Sequence, residues 1–405
     1  MPPSRKYEEE DYMKKLIAIA VVFALVAGTA FAVDLGGTVI GRVGLFGGDK
    51  NADGDDIVVG SASLSRIRLE GAGEVAEGKF GGWLRFSPQD IRFGDGDNVG
   101  TAGLAWWKPI SQFKMIIGVN PDGHWGKEGV TGWMFSQTAY DTGVTVSENN
   151  IWGGGGLYGN GLTTRTAFFG GYDANALMLE IKPLDMIDVN IALPYFAGGE
   201  LKDIFKALTA QLSLNFDFGN IAITYKGEPN YIQDGNVGWA HTDGGVLYGY
   251  FGLAAIENLA VDVGLGFQLP NSDHTDPDLK NPFALGLGLK YTAGAFGVKL
   301  RTVMSFPTTD KDDNEAQPFK VLADLLPYYV INDTTRAFLG AGLGIKAPKD
   351  DDAVVGWYIN PWLEVGEEWG AKFVVGFKLW SDGVKDADDK VTTNWAVPLS
   401  IIVSF

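Results

Sequence analysis

The sequence predicts an all-β protein: a transmembrane antiparallel β-barrel of about 18 strands, with 16 as the fallback count. Three observations lead there. Apolar residues recur at every second position through segments of about ten residues. Long polar loops alternate with short turns, as expected when one barrel end is extracellular and the other periplasmic. After residue 32 no apolar run approaches the ~20 residues that a membrane helix requires. A closed barrel satisfies every backbone polar group within lipid, whereas an open sheet leaves edges unpaired.

The last segment shows the pattern most clearly. Trp395, Val397, Leu399, Ile401, Val403 and Phe405 alternate with Asn394, Ala396, Pro398, Ser400, Ile402 and Ser404. Phe283, Leu285, Leu287, Leu289 and Tyr291 alternate with Ala284, Gly286, Gly288 and Lys290, and similar runs cover 212–218, 259–267 and 373–379. Long loops are expected near 46–59, 88–99, 120–165, 195–206, 227–244, 268–281, 305–318, 347–353 and 380–391. Short turns are expected near 72–78, 108–112, 182–188, 216–221, 254–259, 292–296, 328–335 and 364–370. Their strict alternation makes 18 strands with both ends on the short-turn side. The strands near 101–107, 174–182 and 244–253 have the least regular pattern, and an error there gives 16.

Composition narrows the function. The chain has 405 residues, no Cys, three His and a formal charge of −18. Without Cys there are no disulfides, thiolate metal sites or thiol nucleophiles. The acidic balance argues against a nucleic-acid partner, which needs a basic face. His124, His241 and His274 fall in expected loops, no nucleophile motif accompanies them, and the sequence implies neither an enzyme nor a cofactor.

The amino terminus has its own organisation. Lys14-Lys15, the apolar run Leu16–Ala27 and Ala30-Phe31-Ala32 form a secretory signal with an A-x-A cleavage site. Cleavage after Ala32 leaves residues 33–405 as the barrel. Residues 1–12 carry Glu8-Glu9-Glu10 ahead of a signal that should begin basic. They read as a mis-annotated extension, with Met13 as the true start and 13–32 as the signal peptide.

Facing follows from the period of two. The lumen face is expected to carry Arg42, Arg66, Arg68, Arg85, Lys290, Lys299, Arg301, Lys372 and Lys378, against fewer acids, among them Glu70, Glu180, Asp188, Asp262 and Asp324. This describes a basic wall beneath acidic loops, and rings of like charge bias which ions pass. The competing reading is that these charges pair across strands. Trp106, Trp107, Trp357, Trp362, Trp369, Trp380 and Trp395 lie near strand ends and are expected in interfacial girdles. Only Trp83 and Phe338 are expected to turn inward, too few for a stacking track.

Two motifs resemble binding sites in part. Asp49, Asn51, Asp53 and Gly54 match early positions of an EF-hand loop, with Asp55 beside them, but Gly60 stands where a bidentate Glu is needed. A solvated loop is the favoured reading of this weak metal candidate. Gly340-Ala341-Gly342-Leu343-Gly344 lacks the Lys-Ser/Thr pair of a phosphate loop and continues the strand period.

With its signal peptide, alternating strands and terminal Phe405, the chain resembles the outer-membrane porins of diderm bacteria. Its Gly-rich, Cys-free style is similar to spirochaete proteins, and no porin subfamily motif is present. The resemblance implies that Leu399, Ile401, Val403 and Phe405 are read by the barrel-assembly machinery. It also implies contact with outer-membrane lipid, passive diffusion of small hydrophilic solutes or ions, and the homotrimers common in that family. Two alternatives remain at this point: a surface adhesin or antigen whose loops bind host molecules, and a gated outer-membrane transporter. Pro398 removes a ladder donor from the closing strand, so a bulge is expected there.

Overall fold

The computed structural model describes residues 33–51, 54–59, 62–91, 99–119, 175–194, 208–227, 246–269, 283–306, 319–347, 352–367, 370–381 and 393–404, with a few single positions between them. Its strands are β1 (Val33–Asn51), β2 (Gly54–Val59), β3 (Ala62–Val75), β4 (Phe80–Ile91), β5 (Val99–Ile110), β6 (Phe113–Val119), β7 (Asn175–Leu184), β8 (Ile187–Pro194), β9 (Thr209–Phe216), β10 (Gly219–Lys226), β11 (Val246–Ile256), β12 (Leu259–Gln268), β13 (Phe283–Ala293), β14 (Phe296–Phe306), β15 (Phe319–Asn332), β16 (Thr335–Ala347), β17 (Val354–Gly366), β18 (Ala371–Gly376), β19 (Lys378–Ser381) and β20 (Asn394–Ser404).

All twenty belong to one antiparallel sheet, and that sheet closes on itself. One edge of β1 holds β3, from Val33↔Gly73 to Val43↔Ala62. Its other edge holds β20, from Thr38↔Ser404 to Asp49↔Asn394. Between these, each strand pairs with the next. β18 and β19 are two halves of one wall strand, both lying between β17 and β20. Among the described residues β2 pairs only with β1. The ring therefore has eighteen positions, the number expected from counting loops and turns. The strands with the weakest pattern are present as β5, β7 and β11.

Tight turns join the strands at one end, as at Val75/Phe80, Phe216/Gly219 and Ile256/Leu259. Positive φ is taken where the chain reverses, by Asn258 (φ 65) and Gly294 (φ 57). The segment 46–59, expected as a loop, is instead a hairpin that carries β1 outward, with Phe46↔Val59 and Asn51↔Gly54 in register. The seam at Pro398 has the irregularity its missing donor calls for: the β1 register shifts between Gly44 and Phe46.

The outward face is apolar. Along β13, Phe283, Leu287 and Tyr291 are exposed, while Ala284, Gly286 and Gly288 between them are buried. Aromatic residues stand at both ends of this run and leucines in its middle. From Phe283 to Tyr291, at ~3.3 Å per residue and a tilt of ~40°, the band is about 20 Å tall, close to the ~25 Å of a transmembrane barrel. Phe283 stacks on Phe306 at 4.1 Å at the loop end, and Phe80 on Trp107 at 6.5 Å near the turn end. Leu69, Leu84, Ile117, Leu212, Ile223, Leu265, Leu325 and Ile359 are also exposed on this face. Such a continuous apolar surface has no place in water and fits lipid.

Candidate functional site: the lumen wall

Residues alternating with the apolar belt face the interior of the ring. Buried polar groups gather there: Asn190, Gln211, Ser213, Thr224, Asp262, Arg301, Asp324, Asn360, Lys378, Asn394 and Ser400. They hydrogen-bond across strands. Asn190 donates to Gln211, Gln211 donates to Thr224, and Asn215 donates to Asp188 at 2.8 Å.

Charges on this face pair with one another. Arg85 meets Glu70 at 2.5 Å, on strands β4 and β3 that hold them directly opposite. Lys114 lies 3.8 Å from Glu180, Lys182 3.2 Å from Asp188, and Lys372 3.3 Å from Glu364. Arg301 stands opposite Asp324 in the β14–β15 register. Among the described residues the wall thus carries a mosaic of opposite charges in pairs.

Of the lysines and arginines expected to line the pore, Arg85, Arg301 and Lys378 are buried on the inner face, and Lys290, Lys299 and Lys372 are half-buried there. Lys290 sits directly opposite Lys299. Lys378 lies over the Trp380 ring at 5.0 Å, and Arg85 over Trp83 at 4.7 Å. For Arg42, Arg66 and Arg68 only the strand position is described. Arg42 is opposite Ser400, Arg66 opposite Ile40, and Arg68 opposite Thr38.

The register organises the inner face into rows. One row runs Asn220–Gly252–Asp262–Gly288–Arg301–Asp324–Gly342–Tyr358–Trp380–Asn394 through β10 to β20. Within it, Tyr358 donates a 2.5 Å hydrogen bond to Asp324, across the intervening Gly342. Tyr250 on β11 donates to Asp262 on the adjacent β12, diagonally and with no strand between them. Glycine is required at 342: a Cβ there would stand 2.1 Å from Tyr358 Cε1 and 2.5 Å from Asp324 Oδ1. The same relation holds for Tyr328 over Gly297 and Trp106 over Gly81. Large rings lie flat across the glycines of neighbouring strands.

Three tryptophans expected in the girdles belong to this inner surface. Trp106, Trp362 and Trp380 turn inward. Adjacent residues of a strand point to opposite faces, so Trp106 and Trp107 cannot both meet lipid, and Trp107 is the one exposed outside. Trp357 and Trp395 have the outward parity, and Trp369 lies outside the described residues. Phe338 stacks on Trp362 at 4.7 Å, with Tyr328 5.8 Å beyond.

Nor is the lumen face uniformly polar. Ile116, Ala176, Met178 and Ala192 are buried on it, packed with Leu104 and Trp106. Trp362 and Val374 form a second apolar group with Leu326, Phe338 and Ile402. Period-two reasoning assigns these positions inward but cannot show that neighbours on four strands converge.

The weak calcium candidate falls on the hairpin of β1 and β2. Asp49 faces Asp56, Lys50 faces Asp55 and Asn51 faces Gly54. A paired ladder replaces the single wound loop from which an EF-hand directs its ligands to one centre, and Asp53 lies outside the described residues. Among the described residues no group of three or more His, Cys, Asp or Glu is placed to hold a metal. His124, His241, His274 and the long segment 120–165 also lie outside them, as do Ala30, Ala32 and Phe405. Leu399, Ile401 and Val403 stand on the outward face of β20 against β1.

No protein-family model and no curated protein matches the chain. Solved structures do. The anion-selective porin from Comamonas acidovorans aligns with a TM-score of 0.52 at 12% identity, over 93% of this chain and 100% of that one. The outer membrane protein opdK from Pseudomonas aeruginosa gives 0.52 at 9% identity, over 92% and 99%. Salmonella typhi OmpF, in complex with daunomycin, gives 0.50 at 13% identity, over 92% and 97%. The chain has the fold of an outer-membrane β-barrel. At these identities the likeness concerns architecture, and what passes through must be argued from the wall itself.

Proposed function

We propose that the protein is a channel of a diderm outer membrane giving passive diffusion of small hydrophilic solutes or ions. The observation that carries this reading is the closed eighteen-position ring with paired polar groups inside and an apolar belt outside. Rings of 16–18 strands leave an aqueous channel, whereas eight-stranded ones are filled by side chains. The porin named for its anion selectivity among the similar structures supports a channel role.

The charge mosaic argues for weak ion selectivity from the wall. Ion pairs such as Arg85–Glu70, Lys114–Glu180, Lys182–Asp188 and Lys372–Glu364 cancel cations that would otherwise attract anions. Subunits assembling as trimers, and Leu399, Ile401, Val403 and Phe405 acting as the assembly signal, belong to the same proposal. So does removal of residues 13–32 as a signal peptide with cleavage after Ala32; mass spectrometry of the exported protein should find Val33 at its amino terminus.

One observation favours a second reading. Ile116 and Met178 face inward and are fully buried, which fits a barrel that opens only for its solute. Single-channel conductance in a planar bilayer separates the two. Stepwise openings without added solute support free diffusion; a folded barrel that stays silent until solute is added supports gating.

A further inference from the structure

Among the described residues of β15–β20, four polar atoms on the inner wall are buried without a hydrogen-bond partner: Asp324 Oδ2, Asn360 Oδ1, Trp380 Nε1 and Asn394 Oδ1. Their residues are at most 3% exposed. Asp324, Trp380 and Asn394 share the row described above, with Gly342 and Tyr358 between Asp324 and Trp380 and the Tyr358 side chain reaching Asp324, and Asn360 stands on β17 two residues from Tyr358. Leaving a buried polar atom unpaired opposes folding, so four along one stretch of wall mark a site awaiting its complement.

The chemistry of the complement can be read from the atoms. Three are acceptors and one is a donor. An anion would bring only more acceptors. A metal cation is opposed by the Arg301 and Lys378 side chains that flank Asp324, whose charges already act on it. Hydroxyl groups fit, since each both donates and accepts. Trp380 and Asn394 are directly opposite in register, and one hydroxyl between them would accept from Nε1 and donate to Oδ1. Beside these atoms lie the flat faces of Tyr358 and Trp380, continued toward the turn end by Trp362 and Phe338. Aromatic faces pack on the C–H faces of a sugar ring.

We infer that the inner wall of β15–β20 is a binding subsite for a neutral polyhydroxylated solute, a sugar ring lying on Tyr358 and Trp380 and hydrogen-bonded to Asp324, Asn360, Trp380 and Asn394. The Lys378 ammonium now over the Trp380 ring occupies the stacking position and is displaced by the sugar. This rests on the channel reading and names its solute class.

The test uses the full chain, expressed and exported by a bacterial host and purified from its outer membrane. Glucose, gluconate and glucosamine share a carbon skeleton and differ in charge. Glucose should lower channel conductance in a saturable way, more strongly than either charged analogue. Trp380→Phe keeps a ring but loses Nε1, and Asn394→Leu loses Oδ1. Each should raise the half-blocking concentration about fivefold, the size of one lost hydrogen bond. Trp395→Phe, on the outward face, should leave it unchanged. Stronger block by gluconate or glucosamine, no block by glucose, or block indifferent to both inner variants would overturn the inference. A silent channel would count against the channel reading alone. Calorimetric titration of the detergent-solubilised protein with glucose would then decide the subsite separately, and no saturable heat would overturn it.

Discussion

Tyr358 donates its hydroxyl to Asp324 across Gly342, so one hydrogen bond spans two strand spacings of the wall. The missing Cβ of Gly342 is what lets the ring lie flat. Gly342→Ala should therefore push Tyr358 off the wall and break the bond, costing about 1–3 kcal/mol. Gly249→Ala is the comparison, because a Cβ there meets nothing nearer than 3.9 Å. Heat-dependent gel mobility of the folded barrel should fall clearly for the first and little for the second.

Arg85 and Glu70 form a close ion pair on the inner wall, with side chains 11% and 31% exposed. Partial exposure screens the pair, so a double-mutant cycle of Arg85→Ala and Glu70→Ala should give a coupling of about 1 kcal/mol. Urea unfolding midpoints measure it. A coupling near zero would mean the two charges act independently.

Lys290 faces Lys299 across β13 and β14, and like charges directly opposite oppose folding. Lys290→Gln should raise stability by a few tenths of a kcal/mol. It should also move the reversal potential in a salt gradient toward cations, whereas a wall that does not control permeation would leave that potential fixed.

Leu287 lies mid-belt, 41% exposed, and Tyr291 at its margin. An arginine at the bilayer midplane costs about 2–4 kcal/mol and near the interface about 0–1. Leu287→Arg should impair folding into lipid vesicles far more than Tyr291→Arg. Equal effects would place the membrane elsewhere on the barrel.

The β1–β2 hairpin is held by its own ladder of main-chain pairing. Calcium should leave proteolysis within residues 46–59 unchanged. Protection that saturates with calcium would restore the Asp-rich segment as a metal site.

The amino-acid order by itself determined the class, the strand count and the two faces. A period of two is a local property: Leu287 and Gly288 point opposite ways whatever surrounds them. Turn residues and Pro398 act locally too, so the eight short turns and the seam bulge could be placed from the chain alone. Trp106 and Trp362 were also within reach, since parity excludes them from the girdle that their position near strand ends suggests. What only the tertiary structure decided is which inward residues meet. Asp324 and Tyr358 are 34 positions apart, and Arg85 and Glu70 are 15. Their contacts depend on register, which fixes neighbours across strands and is not written in any one of them. For the same reason Arg85, Lys114, Lys182 and Lys372 meet carboxylates of neighbouring strands, and Trp106, Tyr328 and Tyr358 each lie over a glycine of the next strand.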